Sequence, residues 1–347
     1  VHTFRHSRPT LEAVAAHAGV SRATVSRVVN GGAGVRAEVR ERVRLSVEEL
    51  GYVPNNAART LVTRRTGAVA VVIAEPERRV FADPFFAQQL RGISRELSDN
   101  DMQLLLILLE QQKDYARIGR YLSAGHVDGA LMFSLHGDDP LPAMAEDTGL
   151  PAVFGGRPGW PGAAEDPALL YVDTDNRGGA RQAVAHLLQR GRRRIAVING
   201  PLDQTSALDR LYGYCDALGI TPHERDEALV AQGDFTAEGG ERAMSRLLSS
   251  APDLDAVFAG NDLMASGALR TLRAHGRRVP RDVAVVGYDD LEPAAWAEPA
   301  LTTVRQDVEG MGRMMAELLL RRIGLAPEGQ PPAPVVTPAT LVVRDSS

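Results

Sequence analysis

One cysteine, Cys215, stands in 347 residues. That excludes an intramolecular disulfide and a cysteine-rich metal site. Lysine is as scarce: Lys113 is alone against 38 arginines, a bias that reflects genome composition and carries no mechanistic weight. Apolar runs of membrane-spanning length are missing, and stretches such as Ala68–Ala74 and Leu104–Leu109 are strand-sized. The opening residues, VHTFRHSRPT, have no hydrophobic core like that of a secretion signal, so a cytoplasmic protein is expected. No G-x-G-x-x-G follows a strand, and neither G-x-x-x-x-G-K-[ST] nor G-x-S-x-G occurs. His126, His136 and His186 show no metal-ligand spacing. These absences remove the common nucleotide-dependent, hydrolytic and metal enzymes, and leave an expectation of no catalytic residue, no metal and no cofactor.

The net charge of −5 conceals an asymmetry. Residues 1–66 carry +6 and the remainder −11. A basic head on an acidic body suits a module that binds a polyanion while the body avoids it. Charge alone is weak evidence, since an arginine run is often only a solvated helix face.

The head contains the most informative stretch, Pro9–Asn30. Leu11, Val14, Ala15 and Ala18 recur at i, i+3, i+4 and i+7, which predicts a short helix with Thr10 as its N-cap. Gly19 stops it, and Ser21 can cap a second helix in which Val25, Val28 and Val29 share a face. Two short helices about a glycine turn form a helix-turn-helix, whose second helix can enter a DNA major groove. The same geometry occurs in plain helical bundles. A third helix is expected over Arg36–Leu50 with Gly51 as its stop, and Pro54 makes the exit extended. By composition, Asn55–Leu61 is a linker too short to be helical alone.

From Gly67 onward, short apolar strands alternate with amphipathic segments. Ala68–Ala74, Gln103–Leu109, Ala130–Ser134 and Ala152–Gly155 make one series, and a second begins near Leu170. This pattern predicts an α/β body of two doubly wound parallel sheets, covered on both faces, with a ligand cleft between two lobes. Ligands in such sheets sit beyond the carboxyl ends of the strands. Phe85, Phe86, Asn261 and Asp289 fall there, and Arg210 lies on the helix after Arg194–Asn199. Each also has an ordinary explanation. Asn261 and Asp262 suit a helix cap, Asp289-Asp290 suits a turn, Arg210 suits pairing with Asp209, and the two phenylalanines suit a core.

The identities sharpen these readings. T-L-x-x-V-A-x-x-A-G-V-S-x-x-T-V-S-R-V-x-N, residues 10–30, closely resembles the opening of the lactose-repressor family of bacterial transcription regulators. Glu12-Ala13 replaces a frequent aspartate there, at a position that reads no base. VDTDNRGGARQAVAHLLQRGRRRIAVINGP (172–201), SALDRLYGYCDALGI (206–220), AVFAGNDLMASGALRTLRAHG (256–276), VPRDVAVVGYDD (279–290) and PALTTVRQD (299–307) resemble the family's effector domain, itself similar to periplasmic sugar-binding proteins.

The resemblance implies a helix-turn-helix headpiece over 1–54, a hinge helix and linker over 55–66, and an effector domain over 67–347. Its first lobe should take about 67–173 and 305–334, its second about 174–304 and 335–347. It implies DNA contacts from Thr10, Ser21, Arg22, Ala23, Thr24, Arg27 and Asn30. Asn55, Ala58 and Arg59 match positions lining the minor groove, and Leu61 matches the leucine that wedges between base steps. Phe86, Arg210, Asn261 and Asp289 match effector-contacting positions, with Phe85 beside them and Gln306 a weaker match. Carboxylate, guanidinium and amide groups suit paired sugar hydroxyls, and aromatic rings cover apolar sugar faces. The implied protein is a regulator, a repressor of carbohydrate-utilisation genes, binding palindromic operator DNA as a homodimer and answering to a mono- or oligosaccharide. A purine or nucleoside effector remains the alternative, and a sugar receptor without DNA function would have no use for the basic head.

Overall fold

The computed structural model describes residues 9–29, 32–53, 65–110, 112–137, 139–159, 163, 166, 168–325 and 331–347. They fall into two compact units, one within residues 1–66 and one within 67–347.

In the smaller unit α1 spans Leu11–Ala18, α2 spans Arg22–Val29 and α3 spans Ala37–Leu50. Thr10 is extended, and its hydroxyl accepts from the Ala13 amide at 3.2 Å, satisfying one of the free N–H groups at the start of α1. Gly19 closes that helix at φ 64°, a left-handed conformation that a β-carbon would disfavour. Ser21 serves α2 in the same way, accepting from the Thr24 amide at 3.2 Å. Val14, Val25 and Val43, one from each helix, are fully buried together with Ala15, Ala18 and Tyr52. Burying each valine contributes about 1.5–3 kcal/mol, so three of them supply much of the small core. His17 Nδ1 meets Ser46 Oγ at 3.1 Å and ties α1 to α3.

The larger unit is built on two parallel sheets. The first carries β1 (Ala68–Ile73), β2 (Gln103–Leu108), β3 (Gly129–Phe133), β4 (Ala152–Gly155) and β5 (Tyr171–Thr174). Its spatial order is completed by β11 (Val335–Thr337) beside β5, giving β11-β5-β4-β3-β1-β2. The second is ordered β7-β6-β8-β9, from Val230–Gln232, Ile195–Asn199, Ala256–Ala259 and Ala284–Val286. β10 (Thr303–Arg305) pairs antiparallel with β12 (Thr340–Val342) and bridges to the second sheet's edge at Val286 and Asp289. Val69–Ile73 and Ile195–Val197 are essentially inaccessible, the burial expected where helices cover both faces of a sheet.

The helices of the first lobe are α4 (Glu77–Ala82), α5 (Pro84–Asp99), α6 (Gln112–Ser123) and α7 (Leu141–Thr148). Those of the second are α8 (Asn176–Gln189), α9 (Thr205–Leu218), α10 (Ala237–Ser250), α11 (Asp262–Ala274) and α12 (Glu292–Trp296). α13 (Val308–Arg322) returns to the first lobe, where its buried face joins Val69, Ile93 and Leu131 in one core. Glycine decides how close it comes. A β-carbon at Gly92 would stand 2.0 Å from the Glu309 carbonyl oxygen, and one at Gly312 would stand 2.2 Å from that of Gln89.

The tail departs from the sequence expectation. Residues 335–347 do not all return to the second lobe: Val335–Thr337 adds a parallel strand to β5, and only the part after it crosses. Thr337 carries the reason, because its hydroxyl donates to the Asp173 carbonyl and its own carbonyl accepts the Asp175 amide. The chain therefore crosses between lobes three times, after β5, after β10 and between β11 and β12. The short helices α4 and α12 are too brief to show a period in the sequence, and α7, eight residues long, is a further helix that the sequence reading passed over. Among the described residues no helix is long and apolar enough to cross a membrane, and no cluster of acidic, histidine and cysteine side chains could hold a metal ion.

Candidate nucleic-acid interface and ligand cleft

Burial of Val25 turns the opposite side of α2 outward. Ala23 and Arg27 are exposed there, Ser21 and Arg22 are exposed at the start of the helix, and Thr24 is half-buried with its hydroxyl bonded to that of Ser21 at 2.9 Å. Thr10 is exposed at the start of α1. Arg22 Nε lies 3.1 Å from Glu12 Oε1, and both side chains are open to solvent, so the guanidinium can exchange that partner for another acceptor. A helix presenting arginine forks beside small residues has the chemistry for guanine edges in a major groove. Asn30, Asn55, Ala58, Arg59 and Leu61 lie outside the described residues.

The cleft of the larger unit is lined from both lobes. Arg210 on α9 is its centre. The side chain is 5% exposed, its Nε donates to Asn176 Oδ1 at 2.9 Å, and Nη1 donates to the Gly260 carbonyl. Nη2 stands 3.6 Å from Asp289 Oδ1, and the guanidinium lies over the Tyr288 ring, 3.8 Å from its centroid. The alternative pairing with Asp209 is not made, since Asp209 instead accepts from Arg157 Nη2 at 2.6 Å. Asp289, at φ 108°, is held in a conformation that side-chain-bearing residues rarely adopt. Gln306 Nε2 donates to its carboxylate at 2.6 Å. Burial pushes the Asp289 carboxyl up, against the opposing pull of Arg210 and Gln306.

Asn261 reaches the cleft but spends both ends of its amide on the protein. Oδ1 caps α11 through the Met264 amide at 2.8 Å, and Nδ2 donates to the Phe235 carbonyl at 2.9 Å. It positions Phe235, a cleft residue that the sequence reading passed over. Phe235 is 6% exposed, has φ 62° and sits with the Arg79 guanidinium 5.2 Å from its ring centroid. Its place after β7 was the available signal. Asp262, the other candidate cap, instead accepts from the Leu291 amide and the Thr303 hydroxyl. Asp290 is a fastener, bonded at 2.6 Å to both Arg305 and Arg344.

The phenylalanine pair divides its work. Phe86 is 2% exposed and stacked on Phe133, so it forms cleft floor, whereas Phe85 is half-buried and edge-on to it. Asp83 caps α5 by accepting from the Phe85 amide, and it lines the cleft with its carboxyl raised by burial. The structure thus brings Phe85, Phe86, Arg210, Asn261, Asp289 and Gln306 around one cavity and adds Arg79, Asp83, Asn176 and Phe235. Fixed donors and acceptors beside aromatic rings are the chemistry of a pocket for a polyhydroxylated ligand.

Comparison with known proteins agrees along the whole chain. The model of the lacI family of bacterial regulatory proteins matches residues 10–55, and that of a periplasmic binding protein-like domain matches residues 184–347. The chain is 52% identical over 342 residues to the HTH-type transcriptional regulator CelR of Thermobifida fusca, covering 99% of both. It is 34% identical over 319 residues to the HTH-type transcriptional repressor PurR of Escherichia coli O1:K1, covering 90% of both. Among solved structures, a complex of the transcriptional regulator CelR with cellobiose matches with a TM-score of 0.76 at 50% identity, over 98% of this chain and 100% of that one. The lac repressor dimer bound to operator and the anti-inducer ONPF matches with a TM-score of 0.83 at 29% identity, over 98% and 99%. The headpiece, the two-lobed body and this extent of identity place the chain in the lacI family of bacterial transcriptional regulators.

Proposed function

We propose that the protein represses carbohydrate-utilisation genes and that a small sugar in the cleft controls its grip on a palindromic operator. The observation that carries this reading is the buried group of Arg210, Asp289 and Gln306, a fixed set of charged donors and acceptors at the strand ends. Cellobiose is the first ligand to test, because the CelR relative is 50% identical in its cellobiose complex. A purine is the second candidate, as the family resemblance left open. The protein acts as a cytoplasmic homodimer and performs no catalytic step. Its working division is a headpiece over 1–54, a hinge over 55–66 and an effector domain over 67–347.

Arg22 and Arg27 read bases, Ala23 makes apolar contact, and Thr10, Ser21, Thr24 and Asn30 bond phosphates. Asn55, Ala58 and Arg59 line the minor groove and Leu61 wedges into it. Effector binding changes the lobe arrangement and with it the pairing of the two hinges, which couples two separate sites. Calorimetry with cellobiose and with guanine, beside gel-shift titration of operator DNA with each, tests the proposal. Cellobiose binding that alters operator affinity supports it. Binding of guanine alone replaces the sugar with a purine, and turnover of cellobiose to glucose would make the protein an enzyme.

A further inference from the structure

Along the wall of the same cavity, the lobes also meet through contacts that none of the three crossing segments supplies. His136, in the loop after β3, sets Nδ1 2.8 Å from Asp203 Oδ2, which belongs to the loop before α9 in the other lobe. Its other ring nitrogen faces Glu75 at 3.6 Å. Glu75 is 4% exposed, pairs with Arg79, and accepts from the Ser134 hydroxyl at 2.5 Å. Gln204 reaches over from the second lobe and donates to the same carboxylate at 3.2 Å. Beside this group Arg157 of the first lobe bonds Asp209 of the second at 2.6 Å, and the Thr205 hydroxyl donates to the Arg157 carbonyl.

We propose that these residues form a clasp in which His136 and Arg157 grip Asp203 and Asp209, holding the lobes closed over whatever occupies the cleft. His136 is in this sense a positioning residue. The two ion pairs differ from the Arg210 group in being partly open to solvent, with His136 36% and Asp203 53% exposed. Such pairs are weak singly and break readily, which suits a reversible closure. The buried Glu75 fixes the clasp to the first lobe, since Arg79 and Ser134 hold it from that side.

The pairing makes closure sensitive to pH, with a sign that follows from which partner moves. Glu75 sits on the same lobe as His136 and stays with it. Asp139, whose carboxylate accepts from Tyr115, and Arg79 are likewise first-lobe groups. Asp203 is the one charged group among these that joins on closing, and the neutral Gln204 amide arrives with it, 3.2 Å from His136 Nε2. Hydrogen bonding to Glu75, set against burial and assisted by Asp203, raises the imidazole to about 9. Because Asp203 favours the protonated ring only in the closed form, closure gains from the pair at neutral pH and loses that gain as pH rises through about 9. Salt weakens it in the same direction.

The test uses the full chain with cysteines at the exposed positions Ser123 and Ser245, one on each lobe, carrying spin labels; the native Cys215 is buried. Pulsed-resonance distances are measured without sugar at pH 7 and pH 10 in wild type, D203N, H136Q and the double variant, with cellobiose calorimetry alongside. The wild type should show a closed distance at pH 7 and a longer component at pH 10. Each variant should show that longer component at both values, and the double variant should be no worse than either single one. Cellobiose affinity at pH 7 should fall by about fivefold in D203N, the size of an exposed pair, and should lose its pH slope. The affinity arm rests on the sugar reading and the distance arm does not. If cellobiose fails to bind, the sugar reading falls and the distances still decide the clasp. Distances in D203N and H136Q that match the wild type at both pH values would overturn it.

Discussion

Arg210 and Asp289 face each other across 3.6 Å with only about a twentieth of either side chain exposed, and each also holds a further polar partner, Asn176 and Gln306 respectively. Neither charge is free to move, so the pair is a fixed template for a ligand that supplies both donors and acceptors.

Removing either member leaves the other buried without its counter-charge, and breaking a buried pair costs about 3–5 kcal/mol. R210A and D289A should therefore melt at lower temperature and lose cellobiose binding in calorimetry, while their operator affinity in gel shifts stays near wild type. A cellobiose affinity retained in R210A would remove the pair from the ligand site.

Asn261 makes no free offer to the cleft, because its amide caps α11 and holds the Phe235 carbonyl. N261A should lose about 0.5–2 kcal/mol of stability from the cap in denaturant titration. N261D keeps the cap acceptor but sets a buried carboxylate oxygen where the donor to the Phe235 carbonyl was, so it should be no more stable than N261A and should weaken sugar binding by displacing Phe235.

Arg22 is exposed and its partner Glu12 is equally exposed. In R22A, discrimination at one operator base pair should relax by about 1–3 kcal/mol, measured by competition among operator variants. T24A should instead weaken all sequences alike. An unchanged order of preference in R22A would remove it from base reading.

Gly92 and Gly312 set the contact of α5 with α13. Backbone atoms of the neighbouring helix occupy the place of a new β-carbon, so G92A should cost about 1–3 kcal/mol by overpacking, seen as a lower melting temperature. The headpiece should be unaffected, since its core shares no residue with this contact.

L61A tests the proposed hinge, which lies outside the described residues. Affinity for operator should fall much further than affinity for random DNA, because a wedge acts only where the duplex bends around it. Equal losses would make Leu61 a linker residue.

Where the sequence sufficed, the physics is local. Thr10, Gly19, Ser21 and Gly51 act within three or four residues of themselves, and the valine spacing of α1 and α2 fixes which face is buried. The alternation of apolar strands and helices in 67–347 likewise dictates two covered parallel sheets, because such strands have no polar face to give to water. Tertiary structure decided the rest. Arg210 turns inward because Asn176, the Gly260 carbonyl and Asp289 hold it there, while Arg157, 52 positions upstream of Asp209, takes that neighbouring carboxylate. Phe235 became a cleft residue through Asn261, and β11 joined the first sheet through Thr337 and Asp173. Asp203 and His136 lie 67 positions apart, and nothing in either segment announces the other. Periodicity and capping are written in neighbouring residues; a side chain's partner across the fold is settled by which loops the packed sheets bring together.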